Sequence, residues 1–333
     1  MKSKDTQIKL SIVVAIYNVA NELLDLLSEL KKLAENSSVE VLLMNDGSTD
    51  KTGQILSKIH YTNFHIFTRQ NGGLSNVRNQ GLRLSRGEYV WFVDGDDIIE
   101  YTFVCEILKF IEIQDPDFIQ FYYRRFKKKE EIDFDEASMS FDSFQCITSD
   151  EWFSKLVDPK DYQFENYAWA HIIKRIVYID NNIFFPVGRN YEDVATTYKL
   201  GNAAKKIILI RSIGYYYRDR EGSITNHYSE KNVSDLLQSI REFKLDKSLV
   251  FSDASKTNFV HRYLVGAYYM VIQIQNYNGK AIMQKIRLEL LNNNFTMLTS
   301  RFRLEYLMFR FNLYKLYLSC TSVLKKIIGR NDD

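Results

Sequence analysis

A chain of 333 residues with 45% hydrophobic and 26% charged side chains has ample interior for a core, which excludes disorder as its main state. Its 44 Lys+Arg against 42 Asp+Glu leave no global field to draw it onto nucleic acid. Cys105, Cys146 and Cys320 are far apart and odd in number, without metal-ligand spacing, so neither a disulfide framework nor a structural zinc site is expected and a reducing, cytoplasmic setting fits.

The polar start, Met1 to Lys9, runs straight into a strand-like stretch and does not read as a secretory leader. No run of about 18 uncharged apolar residues predicts a spanning helix. Leu10–Ile16 is a continuous β-branched run, as expected of a strand buried on both faces. Ala20–Ala34 follows with Leu23, Leu26, Leu27 and Leu30 at helical spacing. Val39–Met44 reads as a second strand, with a short helix from about Lys51, then Phe64–Thr68 as a strand, Ser75–Leu84 as a helix and Tyr89–Val93 as a strand. Strands separated by helix-length segments imply βαβ units and a parallel sheet, whose ligands sit outside the strands' carboxyl ends. Polar clusters fall on those ends: Tyr17-Asn18, Asn45-Asp46, Arg69 to Gly73 and Asp94 to Asp97.

The region from about 115 to 228 is less regular. Phe118–Phe126 reads as a strand, Lys127–Asp135 as an exposed hairpin or loop, and Ile207–Tyr217 as β again. Trp152–Val157, Trp169–Val177 and Glu192–Leu200 read as helical pieces. From about Glu230 the pattern is helical to residue 327, so the organisation expected is an α/β domain over 1–228 and an all-helical region over 229–333.

Asp94-Gly95-Asp96 is the sharpest feature. Two carboxylates one residue apart on a glycine turn can share a hard divalent cation whose other ligands are phosphate oxygens and water, although Asp-Gly is also a common turn pair. Asp46 could place an acceptor on a base or ribose, or belong only to a turn before a helix capped by Asp50. Asn71 to Asn79 has paired glycines before a helix start, which favours anions. It lacks the GxxxxGK[ST] spacing of a P-loop, and no GxGxxG follows the first strand, so P-loop ATPases and Rossmann dehydrogenases are disfavoured.

The ordered series SIVVAIYN, MNDGSTD, NGGLSNVRNQG and WFVDGDD resembles family 2 glycosyltransferases over roughly residues 9–220. The resemblance implies an inverting enzyme with a GT-A nucleotide-sugar fold: a mixed, mainly parallel sheet flanked by helices. It implies that Ala15, Tyr17, Asn18 and Asp46 surround the uracil and ribose of a UDP-sugar, and that Gly73, Arg78, Asp94 and Gly95 help to hold the nucleotide. Asp94 and Asp96 become its DxD pair for Mn2+ or Mg2+, with Asp96 the direct ligand and His227 a further metal candidate. Glu192-Asp193 matches the acidic pair that carries the family's catalytic base, assigned here to Asp193; taken alone, the pair also reads as first-turn acids on a helix dipole. Trp169 lies in a segment expected beneath the acceptor, His171 is expected to be structural, and Arg218 lies in a loop that could contact the diphosphate.

The absence of QxxRW points away from processive synthases. The implied role is transfer of a hexosyl or N-acetylhexosaminyl residue to a glycan, lipid-linked or protein-linked acceptor in bacterial capsule or cell-wall glycan synthesis. The competing readings are a sugar-nucleotide nucleotidyltransferase, for which VVAIYNVANE offers no glycine- and lysine-rich loop, and a non-catalytic glycan-binding scaffold. Near the C-terminus, Arg301, Glu305, Asn312, Lys315, Ser319, Ser322 and Lys326 fall on one stripe at helical spacing, opposite a wide apolar face interrupted by Arg303 and Arg310. Such a helix could pack on its own domain, form a homodimer, or lie at the inner face of the plasma membrane.

Overall fold

The computed structural model describes residues 7–134, 144–157, 164–220, 228–274 and 278–319. It divides into two compact units, Met1–Trp152 with Asp161–Glu221, and Phe153–Lys160 with Gly222–Asp333.

The first unit opens with β1 (Leu10–Ile16), α1 (Leu23–Leu30), β2 (Val39–Asn45), α2 (Thr52–Leu56), β3 (Phe64–Thr68), α3 (Leu74–Leu84) and β4 (Tyr89–Asp94). These four strands run parallel in the order β3-β2-β1-β4. The apolar runs of β1, β2 and β4 are explained by burial on both faces: Ile12, Val13, Val14, Leu42, Leu43, Trp91 and Phe92 are all buried. Gly81 lets α3 lie against the sheet, since a Cβ there would collide with Val13. The register aligns Ile16 with Asn45, Asn45 with Thr68 and Ala15 with Asp94, so the polar clusters of the sequence end on one edge.

The chain continues through β5 (Ile98–Ile99), α4 (Tyr101–Gln114), β6 (Phe118–Phe126), β7 (Phe144–Ile147), α5 (Ser149–Val157), β8 (His171–Lys174), α6 (Arg175–Asp180), α7 (Glu192–Ala203) and β9 (Ile207–Arg218). β8 is antiparallel to both β4 and β6, whereas β6 and β9 pair in parallel with register shifts between Gln120 and Tyr123. β5 and β7 both add antiparallel to β9. The helical reading of Trp169–Val177 is corrected here: Ala168–Ala170 is a 3-10 turn, His171–Lys174 a central strand, and only Arg175 onward is helical. Four residues, HIIK, are too few for a periodicity that separates strand from buried helix; the two strand neighbours decide the matter.

The second unit contains α8 (Glu230–Leu245), α9 (Asp253–Gln273), α10 (Lys280–Leu291) and α11 (Ser300–Arg310). Ser229 and Ser252 cap α8 and α9 by accepting from the amides of Asn232 and Ser255. Phe153 stacks on Phe251 at 3.9 Å and lies within 5.7 Å of the Phe243 ring and 5.3 Å of the Phe259 ring, which accounts for its segment grouping with these helices. The single helical stripe from Arg301 onward is not realised. α11 stops at Arg310, Asn312 adopts a left-handed φ of 59°, and Glu305 is buried. Ser322 and Lys326 lie outside the described residues.

Candidate active site

At the carboxyl edge of the parallel strands, backbone geometry fixes the loops first. Asn18 turns at a φ of 51°; its amide donates to Ser48 Oγ at 3.0 Å and its Oδ1 accepts from the Thr49 amide at 2.8 Å. Tyr17 beside it is 47% exposed, free to face a ligand. Asp46 is buried, and its two carboxylate oxygens accept from the amides of Gly72 at 2.9 Å and Gly73 at 2.8 Å, with Arg69 Nε 3.2 Å away. In this geometry Asp46 pins the paired-glycine loop to the end of β2. Gly73 enters α3 at a φ of 82°, a conformation that favours glycine.

After β4 the chain makes the Asp94-Gly95-Asp96-Asp97 turn. The Gly95 amide donates to the Ala15 carbonyl at 2.8 Å, and a Cβ at Gly95 would lie 2.9 Å from that oxygen, so the turn presses on β1 too closely for a side chain. Tyr215 on β9 braces the same turn: its hydroxyl accepts from the Asp94 amide at 3.1 Å and donates to Asp97 Oδ2 at 2.6 Å. Burial and the neighbouring carboxylates of Asp96 and Asp94 push Asp97 well above the usual carboxylate range.

The centre of the site is Arg78, buried on α3. Nη2 donates to Asp94 Oδ1 at 3.0 Å, while Nη1 donates to Glu192 Oε1 at 2.7 Å and Asp193 Oδ1 at 3.0 Å. One guanidinium thus ties the first acid of the turn to both acids of α7, positions 114 and 115 residues away in sequence. α7 begins after Tyr191, which has a left-handed φ of 56°, so Glu192 and Asp193 fall in its first turn. Three carboxylates around one cation leave excess negative charge in a desolvated place. Burial, then Glu192, raises Asp193 to about 8, against the opposing pull of Arg78; Asp94 adds to the rise.

Asp96 is the other acid facing this turn. Burial and Asp94 raise its pKa, and Arg220 Nη2 pairs with its Oδ2 at 2.8 Å. Arg218 donates from Nε to the Asp96 carbonyl at 2.8 Å and from Nη2 to Asp25 at 2.7 Å, and its guanidinium lies 4.5 Å from the Phe126 ring. It is thereby locked into the wall, while Arg220 holds the acidic oxygen. Among the described residues no cluster of three or more His, Cys, Asp or Glu forms a protein cage for a metal. Asp94 and Asp96 instead supply two carboxylates, a donor set suited to a divalent cation that completes its shell with phosphate oxygens and water.

Trp169 is buried, stacked at 4.3 Å and 5° on Tyr215, with its carbonyl accepting from Trp91 Nε1 at 2.8 Å. It supports the wall from beneath and presents little surface of its own. His171 is also buried, 2.9 Å from Gln120 Oε1, and desolvation lowers its pKa to about 3, so it is a neutral structural residue. His227 lies outside the described residues. Sequence reasoning gives Asp97, Tyr215 and Arg220 no role of their own. Asp97 extends the acidic turn by one residue, which was a usable signal; the partnership of Tyr215 with Asp94 spans 121 residues and left none.

A model described as glycosyl transferase family 2 matches residues 11–173. Over 229 residues the chain is 27% identical to glycosyltransferase GlyG of Streptococcus pneumoniae, covering 65% of this chain and 72% of that one. Residues 11–173 of the chain thus carry a glycosyl transferase family 2 domain. The chain is also 29% identical over 250 residues to glycosyltransferase GlyA of the same organism, covering 70% of its own length but only 34% of that relative. It therefore spans about a third of GlyA. Among solved structures, S. aureus TarS 1-349 in complex with UDP-GlcNAc superposes with a TM-score of 0.70 at 20% identity, covering 93% of this chain and 89% of that one. The shared fold is the expected GT-A arrangement, a mainly parallel sheet with flanking helices and a helical C-terminal region.

Proposed function

We propose that this chain transfers a sugar, with inversion, from a UDP-sugar to a hydroxyl of a glycan or glycoconjugate acceptor in bacterial surface-polymer synthesis. The observation that carries this reading is the Arg78 bridge, which sets a donor-side acid, Asp94, and a potential base, Asp193, on one rigid cation. Inversion by single displacement needs a carboxylate on the face opposite the departing diphosphate. Asp193 takes the proton of the acceptor hydroxyl as its oxygen bonds to the anomeric carbon and the bond to the diphosphate breaks. A base raised to about 8 is matched to proton transfer near neutral pH.

Asp96, with Asp94, would hold Mn2+ or Mg2+ together with the donor, and the cation would supply positive charge against the departing diphosphate. Tyr17 and the loop fixed by Asn18 and Asp46 would flank the nucleotide. That S. aureus TarS carries UDP-GlcNAc on the same fold supports UDP as the nucleotide. The curated relatives of this chain include the minor teichoic acid biosynthesis protein GgaB of Bacillus subtilis, 31% identical over 117 residues, which supports a surface polymer as the product class.

Substitution Asp193→Asn tests the assignment. It keeps the size of the side chain but removes the base, so turnover is expected to fall roughly 10²–10⁴-fold with donor affinity nearly unchanged. Steady-state kinetics and UDP titration read the two effects separately. If Asp193→Asn turns over normally and Glu192→Gln is inactive, the role moves to Glu192.

A further inference from the structure

The corner that ends α11 is built rigidly yet turns apolar side chains to the outside. Phe311, Leu313 and Leu316 are 64%, 42% and 62% exposed. The turn itself is hydrogen-bonded: the Phe311 amide donates to the Leu307 carbonyl at 3.0 Å, and the Leu313 amide donates to the Met308 carbonyl at 2.7 Å across the left-handed Asn312. Arg287 on α10 completes the cap, donating to the carbonyls of Phe309 at 2.9 Å and Arg310 at 3.2 Å. Three large apolar groups within six residues, held out on a capped turn, form a surface that water alone does not favour.

Along Ser300–Ser319 the exposed charges have one sign. They are Arg301, Arg303, Arg310 and Lys315, while the acid of that stretch, Glu305, is buried with one carboxylate oxygen 3.6 Å from His261 and the other 3.5 Å from Arg301 Nε. Behind the corner lies a recess of about 220 Å³ lined by Tyr268, Met283, Phe309, Asn312, Tyr314 and Lys315. Its floor is aromatic, with Phe309 and Tyr314 stacked at 4.1 Å and Tyr268 edge-on to both. Lys315 and Asn312 add an ammonium and an amide to that floor, a combination suited to an anionic head group.

We propose that this corner docks the protein on an anionic lipid surface. Phe311, Leu313 and Leu316 enter the boundary between head groups and acyl chains, Arg310 and Lys315 meet lipid phosphates, and the recess receives one head group. A second copy of the chain is a poorer occupant, because a two-fold contact through the same patch would set its cations against each other. The inference rests on the second unit alone and does not use the transfer reaction.

Co-sedimentation of the full chain with vesicles tests it. With phosphatidylcholine vesicles containing phosphatidylglycerol, the protein should pellet at low salt and be released at high salt; with phosphatidylcholine alone it should stay in the supernatant. Arg310→Gln and Lys315→Gln should each lower partitioning about fivefold, the equivalent of one cation near a charged leaflet. The pair Phe311→Ser and Leu316→Ser should lower it further while leaving the thermal midpoint unchanged, since both positions are exposed. Wild-type protein that remains in the supernatant with both vesicles overturns the proposal, as does equal binding to both. So does a concentration-dependent dimer in sedimentation velocity that Phe311→Ser dissolves, because a second copy would then cover the patch.

Discussion

The two halves of the sheet follow different rules. β3, β2, β1 and β4 are parallel, joined by short helices, and read as nearly pure apolar runs. Beyond β4, parallel and antiparallel pairings are mixed, β6 and β9 pair with register shifts, and the strands come from segments far apart in the chain. The regular half supplies a fixed edge, with Asp46 tying down the glycine loop and Arg78 rising from α3. The irregular half supplies what must be aimed at that edge: Glu192 and Asp193 on α7, Tyr215, Arg218 and Arg220 on and after β9. The polar site forms where long-range contacts join a regular frame to an irregular one, and its most connected residue, Arg78, belongs to the frame but serves acids from both halves.

Cutting that join at its centre should have the largest effect. Arg78→Met removes the one cation shared by three desolvated carboxylates and is expected to destabilise the chain by about 3–5 kcal/mol, measured by urea denaturation. A variant within about 1 kcal/mol of wild type would mean that the acids are solvated and the bridge is incidental.

Tyr215→Phe removes the hydroxyl that joins the Asp94 amide to Asp97 and should cost about 1–3 kcal/mol, with a rise in donor KM as the acidic turn loosens. An unchanged KM would separate the turn from donor binding.

Transfer should also depend on pH through the acid that α7 brings to Arg78. Burial and Glu192 raise Asp193, so the base form is the minor one below about pH 8. The sign is therefore a kcat/KM that falls tenfold per unit of decreasing pH below about 8 and levels off above it, reporting the free enzyme. A profile flat between pH 6 and 8, roughly the interval in which proton transfer would be limiting, would take the base role from Asp193.

The regular half was legible because burial on both faces writes itself as a nearly unbroken apolar run: Leu10–Ile16 is a strand with the boundaries read from sequence, and the edge strand Phe64–Thr68, buried only at Phe64, also keeps its boundaries. The polar clusters at their ends follow from the parallel topology, which sets Asp46 and the Asp94–Asp96 turn on one edge. What those residues touch was less visible. Asp46 and Arg218 read as open ligands, but their oxygens and nitrogens are committed to Gly72, Gly73, Asp25 and the Asp96 carbonyl, contacts fixed by tertiary packing. The strand His171–Lys174 was lost for the same reason, since its neighbours β4 and β6 lie some fifty residues or more before it in sequence. Asn312 shows the limit of periodicity: a helical stripe continues through it on paper, whereas its left-handed backbone ends the helix.

Sugar transfer by the joined acids of the two halves requires a UDP donor and, with Asp94 and Asp96 as ligands, a divalent cation. UDP release from a panel of UDP-sugars by the wild-type chain, with Mn2+ present and then with excess EDTA, tests both together. Release is expected from at least one donor, with loss of that release in EDTA and recovery when Mn2+ is restored. Full release in EDTA would contradict the role given to Asp94 and Asp96, and no release from any donor, with or without Mn2+, would contradict the enzyme itself.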